Sequence, residues 1–531
     1  MLLRFFLFLC LLLFTLSCSS SSSHIKCKEK VLRVNFGTDP PSLDPRKLID
    51  NISAYIANMC FDTLTRMDKN GNIGLSLAES YELSENQTCY LFKIRPAKWS
   101  NGELVTAYDF EKSWKSCLKP EFPCPSAFIF YYIKNAKLAK EGLLSVDDVG
   151  IKALDDHTLQ IELLYPHPYF LELLATHCYN PYPESIAENN LAFFENNKHP
   201  FISLGPFYIE SYKSQDKMVL RKNPHYWDKE AVYLDKMELF FVSDQNTELS
   251  MYEEGSIDWV GAPFSSLSTD ALIQLKKRND FYSYKIAGLY YYTFNTQAFP
   301  FNNANIRKAF TLSINRKALA DHIFQNDQEP ATRLIPTIIN PLEKIFFQDA
   351  DLIKAQQYFK QGCEELGLTL ETFPNIALSY NATPIIHYKV AQAIQQQWRA
   401  SLGVNSHLET LEWKVYLDSL KHHNYQVARL GYVSLCSDPS FFLELFAYEK
   451  GHNNFSQWYS KKFEQLFINS IKTIDYNQKL KIIEQAEELF LEEMPIAPLF
   501  FYTNSYLKKD YVNDVVLGKF NNVDFKWASI E

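Results

Sequence analysis

VARLGYVSLCSDPSFFLELF, residues 427–446, joins an apolar strand to a turn and a second apolar run. Side chains alternate along a strand, so residues 427, 429, 431, 433 and 435 share one face. That face carries a guanidinium, Arg429, and a residue with no side chain, Gly431. A glycine inside a strand lets another backbone come close. The pair therefore reads as part of a site that grips an extended ligand by its backbone. The plainer alternative is a core strand whose arginine meets a structural carboxylate. Asp438-Pro439, just beyond, reads as a turn or a helix cap.

The chain has 531 residues, enough for roughly three domains. Aromatic residues make up 15%, with 32 Tyr and 40 Phe, and tyrosine suits a cleft that contacts varied ligands. Net charge is −9 and no basic run stands out, which argues against nucleic acid as a partner. The first residues, MLLRFFLFLCLLLFTLSC, hold one early positive charge and then an apolar run. That run is shorter than the ~20 residues of a membrane-spanning helix and reads as a signal peptide over 1–17. Cys18, after Ser17 and before a serine tract, is the expected lipid attachment point, with plain cleavage nearby as the alternative. Residues 18–30 then form a flexible tether. Cleavage removes a single charged residue, Arg4, and takes the net charge to −10. Eight cysteines remain besides Cys10 and Cys18. Export makes disulfides possible, and Cys117 and Cys124 are near enough in sequence to close CLKPEFPC; spacing does not fix the connectivity.

VLRVNF near residue 31, TCYLFKI near 88 and the KALDDHTLQIEL hairpin read as strands. ISAYIANMC, TAYDFEKSWKSCL, NANIRKAFTLSINRKALADHI and KVAQAIQQQWRASL have helical spacing. Strands and helices mix without a strict repeat, so the class is α/β or α+β in more than one lobe. GxSxG, HExxH, GxxxxGK[ST] and GxGxxG are absent. His422-His423 reads as a solvated loop, and Glu487-Glu488 and Glu492-Glu493 as a solvated helix face. No enzyme, cofactor or metal is expected.

DPPSLDP, AKWSNGELVTAYDFEKSWK, KALDDHTLQIEL, LRKNPHYWD, FNNANIRKAFTLSINR and VARLGYVSLCSDPSF follow one another in this order. Together they resemble the oligopeptide-binding proteins of bacterial ABC importers, from about residue 31 to the end. The resemblance implies a two-lobed periplasmic-binding-protein fold with an extra third domain and a hinge. Lobe I would be 31–61, 185–287 and 503–531, the extra domain 62–184 and the second large lobe 288–502. It implies a monomeric receptor, anchored by lipid and facing the periplasm, that delivers peptide to a permease in the inner membrane.

Residue by residue, the resemblance gives Gly431 and Val433 main-chain pairing with the ligand and puts Arg429 in the ligand-binding segment. Trp413 and Tyr432 match aromatic pocket positions. Tyr131 or Tyr132 would reach the ligand from the extra domain, and Asn51 or Ile52 would pair with it from lobe I. His387 would lie near the peptide C-terminus. The departures concern charge. An aspartate that holds the ligand ammonium is Leu435 here. An arginine for the ligand carboxylate is Leu420, with Lys421 and His422 adjacent, and a lysine is Phe324. Gly288 and Val433 replace both ends of a family disulfide. These changes imply altered end recognition. Other ligands on the same scaffold (murein tripeptide, a nickel complex, a sugar) remain alternatives, with a peptidase or surface antigen further off.

Overall fold

The computed structural model describes residues 29–48, 50–183, 201–342, 344–451 and 453–531. The expected signal peptide, Cys18 and most of the tether lie outside the described residues. Among those described, no helix is long and apolar enough to cross a membrane.

Two long strands organise the molecule, Phe281–Phe294 and Ile496–Lys508, paired antiparallel along most of their length. Beside Phe281–Phe294 lie Val427–Val433, Ile376–Asn381 and Ser406–Leu411. Beside Ile496–Lys508 lie Trp259–Gly261, Val31–Asn35, Lys236–Phe240, Lys217–Lys222 and Phe207–Lys213. The pairing slips between Lys285 and Leu289, where the sheet passes from one set of neighbours to the other. A bulge there bends the ribbon and increases its twist.

The buried apolar residues divide in the same way. One core takes in residues between 32 and 264 with Tyr506, Val512, Val523, Phe525 and Ala528, and draws in Cys436 and Phe441, while the other runs from Ala287 to Phe501. Within the first, residues 78–162 form a separate four-stranded antiparallel sheet. The hairpin read from KALDDHTLQIEL is there, as Ile151–Asp155 and Thr158–Glu162. The helices follow their sequence signals. Ala107–Cys117 starts at a Thr106–Asp109 capping box. Ile386–Leu402 stops at Gly403, whose φ of +73° suits a residue without Cβ.

Glu487 corrects the sequence reading. Helical spacing put it on a solvated face, yet it is fully buried. Its carboxylate accepts from Arg333 Nη2 at 2.9 Å and from the Leu334 and Ile335 amides at 2.8 and 3.0 Å. Glu488, by contrast, faces outward and pairs with Lys344.

Two consequences are measurable. Glu487→Ala leaves the Arg333 charge buried without its partner and should destabilise the fold by about 3–5 kcal/mol in urea titrations; an unchanged midpoint would contradict this burial. Burial also holds His167 down to about 4 and His387 to about 2. The unfolded chain protonates these rings near pH 6.5 and the folded chain does not. Their contribution is therefore complete above that pH and is lost as pH falls below it. His387→Gln should flatten the fall in stability between about pH 6.5 and 4.5 by roughly one proton's worth of slope, and an unaltered slope would refute the assignment.

Candidate functional site

The strand Val427–Val433 is fully paired on one side and mostly unpaired on the other. Its register with Phe281–Phe294 runs from Gly288–Val433 to Phe294–Val427. Ile376–Asn381 pairs with it only at Val427 and Ala428. Hydrogen bonds from Ser434 N to Ala287 O and from Asn295 N to Gln426 O set the alternation. Even-numbered residues bond to the long strand, and odd-numbered residues turn N–H and C=O the other way. The Arg429 carbonyl accepts from the Tyr416 hydroxyl. Gly431 and Val433 come after the neighbouring strand has ended, and they present their main-chain groups to its open edge.

Arg429 and Gly431 share the face expected of them, and a third residue explains why. A Cβ on Gly431 would collide with the hydroxyl of Tyr502, and one on Gly288 would come within 2.6 Å of the Tyr502 ring. The tyrosine thus lies across two glycines on adjacent strands. There its hydroxyl accepts from Arg429 Nη2 at 3.2 Å. The guanidinium also lies 4.5 Å from the centroid of the Tyr290 ring, and Nη1 reaches Asn381 Oδ1 at 3.5 Å. Arg429 Nε is buried with no acceptor. Its described surroundings are tyrosine hydroxyls and an amide, not the carboxylate of the plainer reading.

A cavity of about 570 Å³ opens in front of this group, within the range of small-ligand sites. Ser265, Ser268, Asp270 and Asn504 line one side, and Asn381, His387, Trp413 and Arg429 the other. Trp413 is 48% exposed, an unusual indole for a core but a suitable platform for a ligand. His387 receives or gives a 3.1 Å hydrogen bond between Nδ1 and the Tyr290 hydroxyl, and burial with the nearby Arg429 charge keeps it neutral. Two ion pairs cross the gap, Lys389–Asp270 at 3.0 Å and Lys276–Asp327 at 2.8 Å.

Arg429, Trp413 and His387 are thus gathered at the cavity, with Phe324 in its wall, while the other expected residues fall elsewhere. Tyr432 points to the opposite face of its strand and packs edge-on against Phe442. Tyr132 is buried: its hydroxyl donates to Glu444 Oε2 at 2.8 Å and its ring packs against Phe441. Tyr131 packs half-buried against the first core. Asn51 is the exposed first residue of the helix Asn51–Cys60, and Ile52 packs against the core. Lys421 is exposed at a helix end, while Leu420 is buried beside Tyr416, Tyr425 and Ala428. None of these lines the cavity, and Gly431 and Val433 also lie outside its lining, following Arg429 on the same strand.

Leu435 lies half-buried against the first core, where an ammonium would find no paired anion. The nearby carboxylates are engaged, Glu172 by Ser437 Oγ at 2.8 Å. Asp438 accepts from Ser440 N at 3.0 Å in the turn before the helix Ser440–Ala447, whose N-cap position is Pro439, and is also ion-paired with Lys479. Glu444 is held by Tyr132, and burial keeps it above the ordinary carboxylate range. Gly288 and Val433 are direct cross-strand partners, as their joint replacement of a disulfide requires. Tyr502, Tyr290 and Asn381 were not singled out from sequence. The polar break YTN after the apolar IAPLFF is the signal that marks Tyr502.

The comparisons agree with this architecture. A family described as bacterial extracellular solute-binding proteins, family 5 Middle, matches residues 72–454. The oligopeptide-binding protein OppA of Bacillus subtilis is 38% identical over 502 residues, covering 94% of this chain and 92% of the relative. The dipeptide-binding protein DppE of the same organism is 35% identical over 516 residues, covering 95% and 93%. Among solved structures, Haemophilus influenzae OppA in complex with RPPGFSPFR superposes with a TM-score of 0.82 at 26% identity, covering 95% of this chain and 99% of that one. The Escherichia coli murein tripeptide binding protein MppA gives 0.84 at 25% identity with the same coverage. The fold is the two-lobed α/β fold of these peptide-binding proteins, and the chain belongs to the family 5 bacterial extracellular solute-binding proteins.

Proposed function

We propose that the protein is a receptor that captures a peptide in the inter-lobe cavity and delivers it to the permease of an ABC importer. One observation carries this reading: the open edge at Gly431 and Val433, beside a guanidinium with no carboxylate. Peptides of any sequence share main-chain N–H and C=O groups, and adding one as a strand satisfies both sides. The Arg429 guanidinium, which lines the cavity, then gains an acceptor, a ligand carbonyl or terminal carboxylate. The relatives' names, oligopeptide-, dipeptide- and murein-tripeptide-binding proteins, support the ligand class. On this reading the chain binds and releases its ligand unchanged. It acts as a lipid-anchored monomer facing the periplasm.

The lobe boundaries belong to the same proposal: 31–61 with 185–287 and 503–531, then 62–184, then 288–502. The register slip between Lys285 and Leu289 and the division of the cores support a crossover near residue 287. The two ion pairs across the gap are partly exposed, with Asp270 at 86%. Such pairs contribute about 0–1 kcal/mol each. They bias the closed form weakly, beside the buried contacts of Tyr132 with Glu444 and Phe441, and a ligand held from both sides adds to these.

End recognition differs from an ammonium clamp. Leu435 supplies no charge, and Asp438 and Glu444 are engaged within the protein. The Arg429 charge at the cavity, held by tyrosines and an amide, favours the carboxylate end of the guest, whereas Lys389 is paired with Asp270.

Calorimetry with tri- to pentapeptides tests both parts. Acetylating the ligand amine should change affinity by no more than about threefold, since a large loss requires a buried receptor carboxylate left without its ammonium partner. Abolition of binding by acetylation would refute the altered-end reading. Arg429→Met should weaken binding by roughly 10- to 100-fold, the range for a hydrogen bond to a charged group; unchanged affinity would remove Arg429 from the site.

A further inference from the structure

The loop CLKPEFPC, residues 117–124, follows the helix Ala107–Cys117 and is held shut from inside. Lys140 Nζ donates to three of its carbonyls, Cys117 at 3.2 Å, Lys119 at 2.9 Å and Phe122 at 2.5 Å. Cys124 N–H donates to Phe122 O at 2.9 Å. Prolines on both sides of Cys124 narrow its backbone freedom. From outside, the Arg46 guanidinium lies 4.6 Å from the centroid of the Phe122 ring and is bonded to Asp44.

With the Cys117 and Phe122 carbonyls both held on Lys140 Nζ, the loop doubles back and sets the Cys117 and Cys124 thiols close enough to perturb each other. Cys117 is buried and Cys124 half-buried, so one is sheltered and the other reachable. The contact with Cys117 lowers the Cys124 thiol below its ordinary value, helped by a backbone hydrogen bond from Ser126 and the charge of Lys140. A reachable thiol with enhanced thiolate character beside a second thiol is the arrangement that exchanges with disulfides.

We propose that Cys117 and Cys124 form a redox pair that closes this loop as a disulfide when the protein meets a disulfide oxidant, either a thiol oxidoreductase or glutathione disulfide. The Cys124 thiolate attacks one sulfur of the oxidant and expels the other as thiolate, giving a mixed disulfide. Cys117, losing its proton, then attacks the Cys124 sulfur and expels the second oxidant thiolate. Two protons and two electrons leave the pair, and the oxidant disulfide is reduced to two thiols. Cys178 is the competing thiol: it is buried near Cys124, 3.4 Å from His177 Nε2. Its burial raises its own pKa and disfavours attack. In the cell the pairing rests on the exported location of the proposed receptor, but the chemistry can be tested apart from it.

The purified full chain would be equilibrated in glutathione buffers from reduced to oxidised, its free thiols blocked with iodoacetamide, and the protein digested with trypsin. Lys119 precedes Pro120, so both cysteines stay in one peptide, residues 116–134, while Cys178 falls in another. The expected peptide carries two labels in reduced buffer. In oxidised buffer it carries none and is lighter by two hydrogen atoms. Two labels in oxidised buffer, or a crosslink from Cys124 to Cys178, would overturn the pairing. Cys117→Ser should leave Cys124 carrying glutathione, and an unmodified Cys124 in that variant would overturn its role as the attacking thiol. Peptide titration of both redox forms keeps the two proposals separate, since loss of binding in each would count against the receptor reading alone.

Discussion

Tyr502 lying across Gly288 and Gly431 to accept from Arg429 is the arrangement on which the rest of the site depends. A side chain on either glycine would push the ring away. With the ring in place, a guanidinium is held at the cavity by a hydroxyl, an aromatic face and an amide, all neutral groups. A carboxylate there would have quenched its charge. Neutral partners orient it and leave its charge and one N–H for a guest. The unpaired strand edge beside it offers the matching main-chain groups.

Magnitudes decide which contacts govern closure. Each exposed ion pair across the gap contributes at most about 1 kcal/mol. A hydrogen bond to the guanidinium contributes about 1.5–3 kcal/mol. On the proposed reading a ligand bond to Arg429 would exceed either ion pair singly, and it would add to the buried contacts of Tyr132 with Glu444 and Phe441, which already join the proposed extra domain to the second large lobe. Buried histidines that stay neutral add no charge change to this balance near neutral pH.

Much of the architecture could be read from local patterns. Period-two alternation placed Arg429 and Gly431 on one face, and helical spacing with caps marked Ala107–Cys117 and Ile386–Leu402. What escaped needed partners distant in sequence. Gly431 looked like room for a ligand backbone, and its first tenant is Tyr502, 71 positions on, from a strand that pairs with the long strand between them. Glu487 had the spacing of a solvated face and is buried because Arg333 and two amides, over 150 positions earlier, meet it. Tyr132 and Tyr432 matched ligand-facing positions, but Glu444 and Phe442 take up their side chains. The helix that presents Phe442 is itself fixed by the buried Asp438–Lys479 pair. The departures at Leu420 and Leu435 were legible, and packing accounts for both.

A crystal structure of the ligand-loaded protein is the decisive measurement. The guest main chain should run along residues 431–433, with N–H···O separations of about 2.9 Å to Gly431 and Val433. An oxygen of the guest should rest on Arg429. A guest seated elsewhere, with that edge bonded only to water, would contradict this pairing.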